Sequence, residues 1–119
     1  MVIPVQVTFR NMSTSEALEA AIRVRAAKLD RFHPHIIGCR VAVEAARHRH
    51  MKGTVFHVRF DVTVVHGEIV ASGDTSAPTP HENVYIALNE AFDEVRRRLE
   101  EHAQRRRGEV KFHSLRRAG

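Results

Sequence analysis

From Phe56 to Val64 the chain alternates without a break: Phe56, Val58, Phe60, Val62 and Val64 are apolar, while His57, Arg59, Asp61 and Thr63 between them are polar. A period of two belongs to a β-strand with one buried and one wet face. A sheet built on such a strand is covered on one side only, which excludes a doubly wound parallel sheet. The remaining elements must therefore supply one covering layer.

Val5, Val7 and Phe9 alternate with Gln6 and Thr8, which predicts a first strand over residues 3–9. Ser13 stands three residues before Glu16, a capping-box spacing, and opens a predicted helix over 14–32. Leu18, Ala21, Ile22, Leu29 and Phe32 share one stripe of that helix. Arg25 falls inside the stripe, so its stem is expected to pack at the rim with its head reaching outward. His33-Pro34 ends the helix, because the residue before proline is driven out of the α region. A second strand follows over 36–46, with Cys39, Val41, Val43 and Ala45 on one face. After a polar connection comes the alternating strand, then a turn at His66-Gly67 and a fourth strand over 68–72. Residues 73–80 read as a loop, and Val84, Leu88, Ala91, Val95 and Leu99 form the stripe of a helix over 82–107. Residues 108–119 read as a basic, disordered tail. The order is βαβββα: an α+β, dsRBD-like domain over 1–107, with a four-stranded sheet and two helices packed on one face.

Charge is distributed as a gradient. Of 19 Lys and Arg and 14 Asp and Glu, the stretch from Arg96 to Gly119 holds nine bases and three acids, so it carries the whole excess of +5. Such a patch attracts a polyanion: RNA, DNA or an anionic surface. The chain opens without the charged and apolar regions of a signal peptide and contains no run long enough to span a bilayer, so a cytoplasmic protein with no membrane partner is expected. The single cysteine, Cys39, reads as a small buried hydrophobe.

Nine histidines raise the question of metal binding, but His33 with His35 and His48 with His50 are the close pairs, and no acid or cysteine accompanies them at ligand spacing. No nucleotide-binding, hydrolase or metalloprotease pattern occurs, and residues 75–80 lack the glycines of a phosphate-cradling loop. The expectation is a protein without catalytic residues, metal, cofactor or small-molecule substrate.

The basic residues gather in three places that this fold can bring together. Arg23, Arg25, Lys28 and Arg31 lie on the first helix; Arg47, Arg49 and Lys52 lie in the connection between strands two and three; Arg96, Arg97, Arg98, Arg105, Arg106 and Arg107 lie on the second helix. Neighbouring helices on one sheet face would join them into a ridge suited to a phosphate backbone. The few aromatics are mostly assigned to the core, which argues against readout by base stacking and leaves shape and charge.

Three segments then resemble a known family: VTFRNMSTSEALEAAIRVRAAKLDRF at 7–32, HGEIVASG at 66–73 and HENVYIALNEAFDEVRRRLEEH at 81–102. The chain is similar to the ribosome hibernation-promoting factor and ribosome-associated inhibitor family, also described as sigma-factor modulation proteins, in its short form. The resemblance spans about 3–107. It implies a βαβββα fold and binding to the small ribosomal subunit and its rRNA, in the channel of messenger and transfer RNA, so that translation stops. By the same resemblance Arg25 and Lys28 match basic positions of the family's first helix, Arg97 matches one in the second, and Tyr85 and Asn89 match polar positions near its start. Glu94 stands where Lys is common and Arg98 where Gln is common. The stretch RHRHMKGTVFHVRF is longer than the typical connection.

The reading is thus a non-enzymatic translation inhibitor acting by occupancy. Its rivals are a general RNA-binding module and a regulator that binds a protein such as a sigma factor. A homodimer through the exposed sheet or its edge stays open.

Overall fold

The computed structural model describes residues 3–46, 54–75 and 83–118, with side chains through Arg105. Its elements are β1 (Val5–Arg10), α1 (Glu16–Phe32), β2 (Ile36–Ala46), β3 (Val55–Val64), β4 (Gly67–Asp74) and α2 (Val84–Ala118). The strands lie in the order β1-β2-β3-β4. β1 is parallel to β2, and the other two pairings are antiparallel. The expected βαβββα order and single covered face are what the chain adopts.

Register aligns the apolar residues on one face. Val7 pairs with Val41, Val41 with Phe60, and Phe60 with Ala71, so one row crosses all four strands beneath the helices. Phe56, Val58, Phe60 and Val62 are completely buried, as are Ile22 and Ala26 of α1 and Ala87, Leu88, Ala91 and Val95 of α2. Gly73 marks the tightest contact: a side chain there would sit 2.5 Å from the Ala87 carbonyl and the Ala91 amide. Small residues on both sides let the α2 backbone lie directly on β4.

The α1 cap is Ser15 rather than Ser13. Ser15 has extended backbone and its hydroxyl accepts from the Leu18 amide at 3.2 Å. Three hydroxyl residues stand in a row, and the chosen one brings Leu18 to the first buried position. Asn11, at φ 58°, turns the chain out of β1 in a conformation Asn tolerates better than most residues. At the other end the His33 amide donates to the Leu29 carbonyl at 2.9 Å. The buried stripe of α1 is Leu18, Ile22, Ala26 and Leu29. Phe32 does not belong to it, because in the last turn it borders the ends of β2 and β3, at Ile36 and Val64, and its ring stays 69% exposed.

The β3–β4 turn consists of Val65 and His66, with Gly67 at φ 149° closing it as the first residue of β4. β4 continues to Asp74, through residues expected in a loop, because Val58 pairs with Gly73 and His57 with Asp74. α2 also exceeds its expected end. It runs through Gly108 to Ala118, since one interior glycine costs only about 1 kcal/mol relative to alanine and helix-favouring residues flank it. No helix among the described residues is long and apolar enough to cross a membrane.

Candidate nucleic-acid interface

Because β1 is parallel to β2 and each helix returns antiparallel to its strand, α1 and α2 run in the same direction over the sheet. Arg25 sits where they meet. Its guanidinium donates to Asn89 Oδ1 at 2.6 Å and to the Ala21 carbonyl at 3.1 Å. The stem is half-buried and the head reaches across, as its rim position required. Seven residues further along each helix, Phe32 and Arg96 line a shared groove of about 670 Å³ with Lys28, Arg31, Phe92 and Glu100. Phe92 forms its floor, with its ring 6.3 Å from Phe60 at 55°.

The cations of this groove are little engaged. Lys28 and Arg31 have no hydrogen-bond or ion-pair partner among the described residues. Arg96 approaches Asp93 at 3.7 Å. Tyr85 and Asn89 are exposed further back along α2.

The other predicted basic residues are not brought into the same strip. Arg23 turns toward the β1 edge, donating to Glu19 at 3.0 Å and to the Val5 carbonyl at 3.1 Å. Arg97, Arg98 and Arg105 turn toward β4, where they line a second, smaller groove of about 310 Å³ with Glu68 and Glu101. Arg97 donates to Glu94 at 2.6 Å and to Glu101 at 3.0 Å, and Arg98 donates to Glu94 at 2.9 Å. Those two guanidinium groups hold the Glu94 carboxyl below its usual range. The ridge expected from sequence is therefore divided into flanks, since successive helical residues stand about 100° apart. Arg47, Arg49 and Lys52 lie outside the described residues, as do the side chains of Arg106 and Arg107.

Cys39 and His33 also depart from their ordinary behaviour. Burial pushes the Cys39 thiol up to about 11, with Asp61 adding to the effect, so it stays protonated and unreactive. Burial also lowers the pKa of His33 at the mouth of the groove, against an opposing pull from Glu100. Among the described residues no group of three or more His, Cys, Asp or Glu is placed to hold a metal ion. Phe32 is the groove residue that sequence reasoning assigned elsewhere. The missed signal was its place at the last helical position before His33-Pro34, beside the ends of β2 and β3 at Ile36 and Val64.

Residues 5–107 match the family model described as Sigma 54 modulation protein / S30EA ribosomal protein. The chain belongs to that family. Membership makes it a ribosome-associated protein by kinship, and the fold agrees with solved structures. One is a ribosomal subunit interface protein from Coxiella burnetii, with TM-score 0.68 at 12% identity over 86% of this chain and 99% of that one. Another is the N-terminal domain of Protein Y from Thermus thermophilus, with TM-score 0.60 at 16% identity over 86% and 99%. No curated protein sequence matches the chain. At these identities the structural likeness establishes the shared fold alone.

Proposed function

We propose that the protein inhibits translation by occupying the small ribosomal subunit, in the channel otherwise held by messenger and transfer RNA. One observation carries the reading: in a chain of this family, the groove between two parallel helices presents Lys28 and Arg31, without partners among the described residues, beside the exposed Arg96. Phosphates entering the groove release their counterions and meet cations that need not first abandon a carboxylate. Arg25 is a positioning residue here, because its bond to Asn89 fixes the two helices side by side. Tyr85, Arg97, Arg98 and Arg105 flank the groove and contribute at its margins, and residues 1–107 act as a single binding domain. Inhibition requires no chemistry, only exclusion. The name of the Coxiella relative, a ribosomal subunit interface protein, is consistent with a partner of this kind.

The test is a competition titration on purified small subunits at fixed, near-physiological salt, with cell-free translation run in parallel. Occupancy of one channel predicts that prebound transfer RNA raises the apparent Kd in proportion to its own occupancy and that translation falls with added protein. Indifference to transfer RNA with uninhibited translation would leave general RNA binding as the better account. A complex that survives salt sufficient to strip RNA would point to a protein partner instead.

A further inference from the structure

One side chain of the groove is not explained by electrostatics. Phe32 is 69% exposed, the highest value among the exposed large hydrophobic residues described. It is neither in the core cluster nor packed against it, whereas its groove neighbour Phe92 is packed on the core. The described ring pair is Phe60 with Phe92, and Phe32 joins no ring contact. An aromatic face thus stands in water, beside Lys28, Arg31 and Arg96 in the same groove.

Cations with a free aromatic face among them match one class of polyanion better than the others. In a duplex the bases are paired and stacked, so no π-face is offered to a protein. An unpaired base offers one, and stacking on an aromatic ring is tolerant of base identity. Resting on the RNA reading above, we propose that Phe32 is a stacking platform for one unpaired base, so that the groove selects single-stranded RNA, with the phosphates on Lys28, Arg31 and Arg96. Phe92 is the poorer platform, because its half-buried ring packs on the core beside Phe60. Glu100 lines the same groove and repels phosphate from its own vicinity, which leaves the Lys28 and Arg31 side for the backbone. Recognition is then by strandedness, with little dependence on sequence.

A protein surface is the competing occupant, since Phe32 also borders a smaller apolar groove of about 370 Å³ with Val65 and Leu99. Lys28 and Arg31 beside the ring, which have no partner among the described residues, favour RNA, and the experiment separates the two. The chain contains no Trp, so Phe32→Trp introduces a single indole whose emission is quenched by a stacked base. The variant is titrated with a short single-stranded RNA, with the same strand annealed to its complement, and with small ribosomal subunits. Quenching by the single strand and by subunits, and little by the duplex, is the expected result. Phe32→Ala and Phe32→Leu, checked for folding by circular dichroism, should each weaken single-strand binding on the order of 10-fold and duplex binding less than about twofold. Wild-type affinity of Phe32→Leu for the single strand, or equal losses on strand and duplex, would overturn the proposal. So would a blue shift on subunits without quenching, the signature of an apolar protein contact. The two readings fail separately: single-strand quenching without subunit binding keeps the platform and removes the ribosome, while transfer-RNA-sensitive subunit binding that ignores Phe32 does the reverse.

Discussion

The two flanks of α2 carry similar residues and behave differently. Toward α1, Arg96 stands with Lys28 and Arg31 in a groove where two of the three cations have no described partner. Toward β4, Arg97 and Arg98 are claimed by Glu94 and Glu101 at 2.6 to 3.0 Å. Arg96, Arg97 and Arg98 are consecutive, yet the helical turn sends Arg96 to the first environment and Arg97 and Arg98 to the second. Formal charge is therefore a poor guide to attraction. An arginine already bonded to a carboxylate offers a polyanion little net field and must break a bond to engage it. The α1 flank also has an apolar foundation, since Phe92 in its floor rests on the buried Phe60. The β4 flank is decorated by ion pairs beside Glu68, Ile69 and Val70, further along α2 than the close contact at Gly73.

The largest expected effect tests that foundation. Phe60→Ala removes a completely buried ring beneath the groove and should cost about 3 to 5 kcal/mol of unfolding free energy, a large part of a small domain's total. Chemical denaturation measures it. A loss under about 1 kcal/mol would mean that α2 is seated by its ion pairs rather than by apolar packing, and the contrast between flanks would collapse.

Charge replacement gives the next effect. Combining Lys28→Ala, Arg31→Ala and Arg96→Ala should weaken subunit binding and reduce the slope of log affinity against log salt by roughly 2 to 3, about 0.7 to 0.9 per lost phosphate contact. Arg97→Ala with Arg98→Ala should change it by less than about 1, because those groups enter already paired. Glu94→Gln sharpens the comparison by releasing Arg98 and leaving Arg97 with Glu101 alone, and affinity should rise. Equal losses from the two sets of alanines, read by pelleting across a salt series, would show that the flanks act as one surface.

The smallest effect concerns acid. Burial lowers the pKa of folded His33 below the ordinary 6.5, so below about pH 6.5 the unfolded chain binds the proton more readily and stability falls. The contribution is fully present at neutral pH and is lost progressively as pH drops through that window. His33→Asn should lessen the drop in melting temperature between pH 7.5 and 5.5 by a small margin, since the imidazole is partly solvated. An unchanged drop would place the acid sensitivity in other groups.

Much of the fold was legible because it rests on local periods. The alternation through β3, the α2 stripe from Val84 to Leu99 and the Pro34 stop all appear where the pattern put them. Helix ends were less legible. Ser13, Thr14 and Ser15 are chemically similar caps, and only the burial of Leu18 selects Ser15. Of the candidate site, Arg25 was placed well because an arginine inside an apolar stripe has few options. Phe32 was misplaced because a stripe says which side a residue faces and not whether anything lies there.

By itself, then, the sequence determined the strand faces, the order of elements, the basic gradient and the kinship with a ribosomal family, all properties of residue type and spacing along the chain. Tertiary structure decided which cations stay available. That choice depends on what stands across from each side chain: Asn89 opposite Arg25, Glu94 beside Arg97, open water around Phe32. Distance through space sets electrostatic and packing energies, and spacing along a chain constrains it only within one helix or strand.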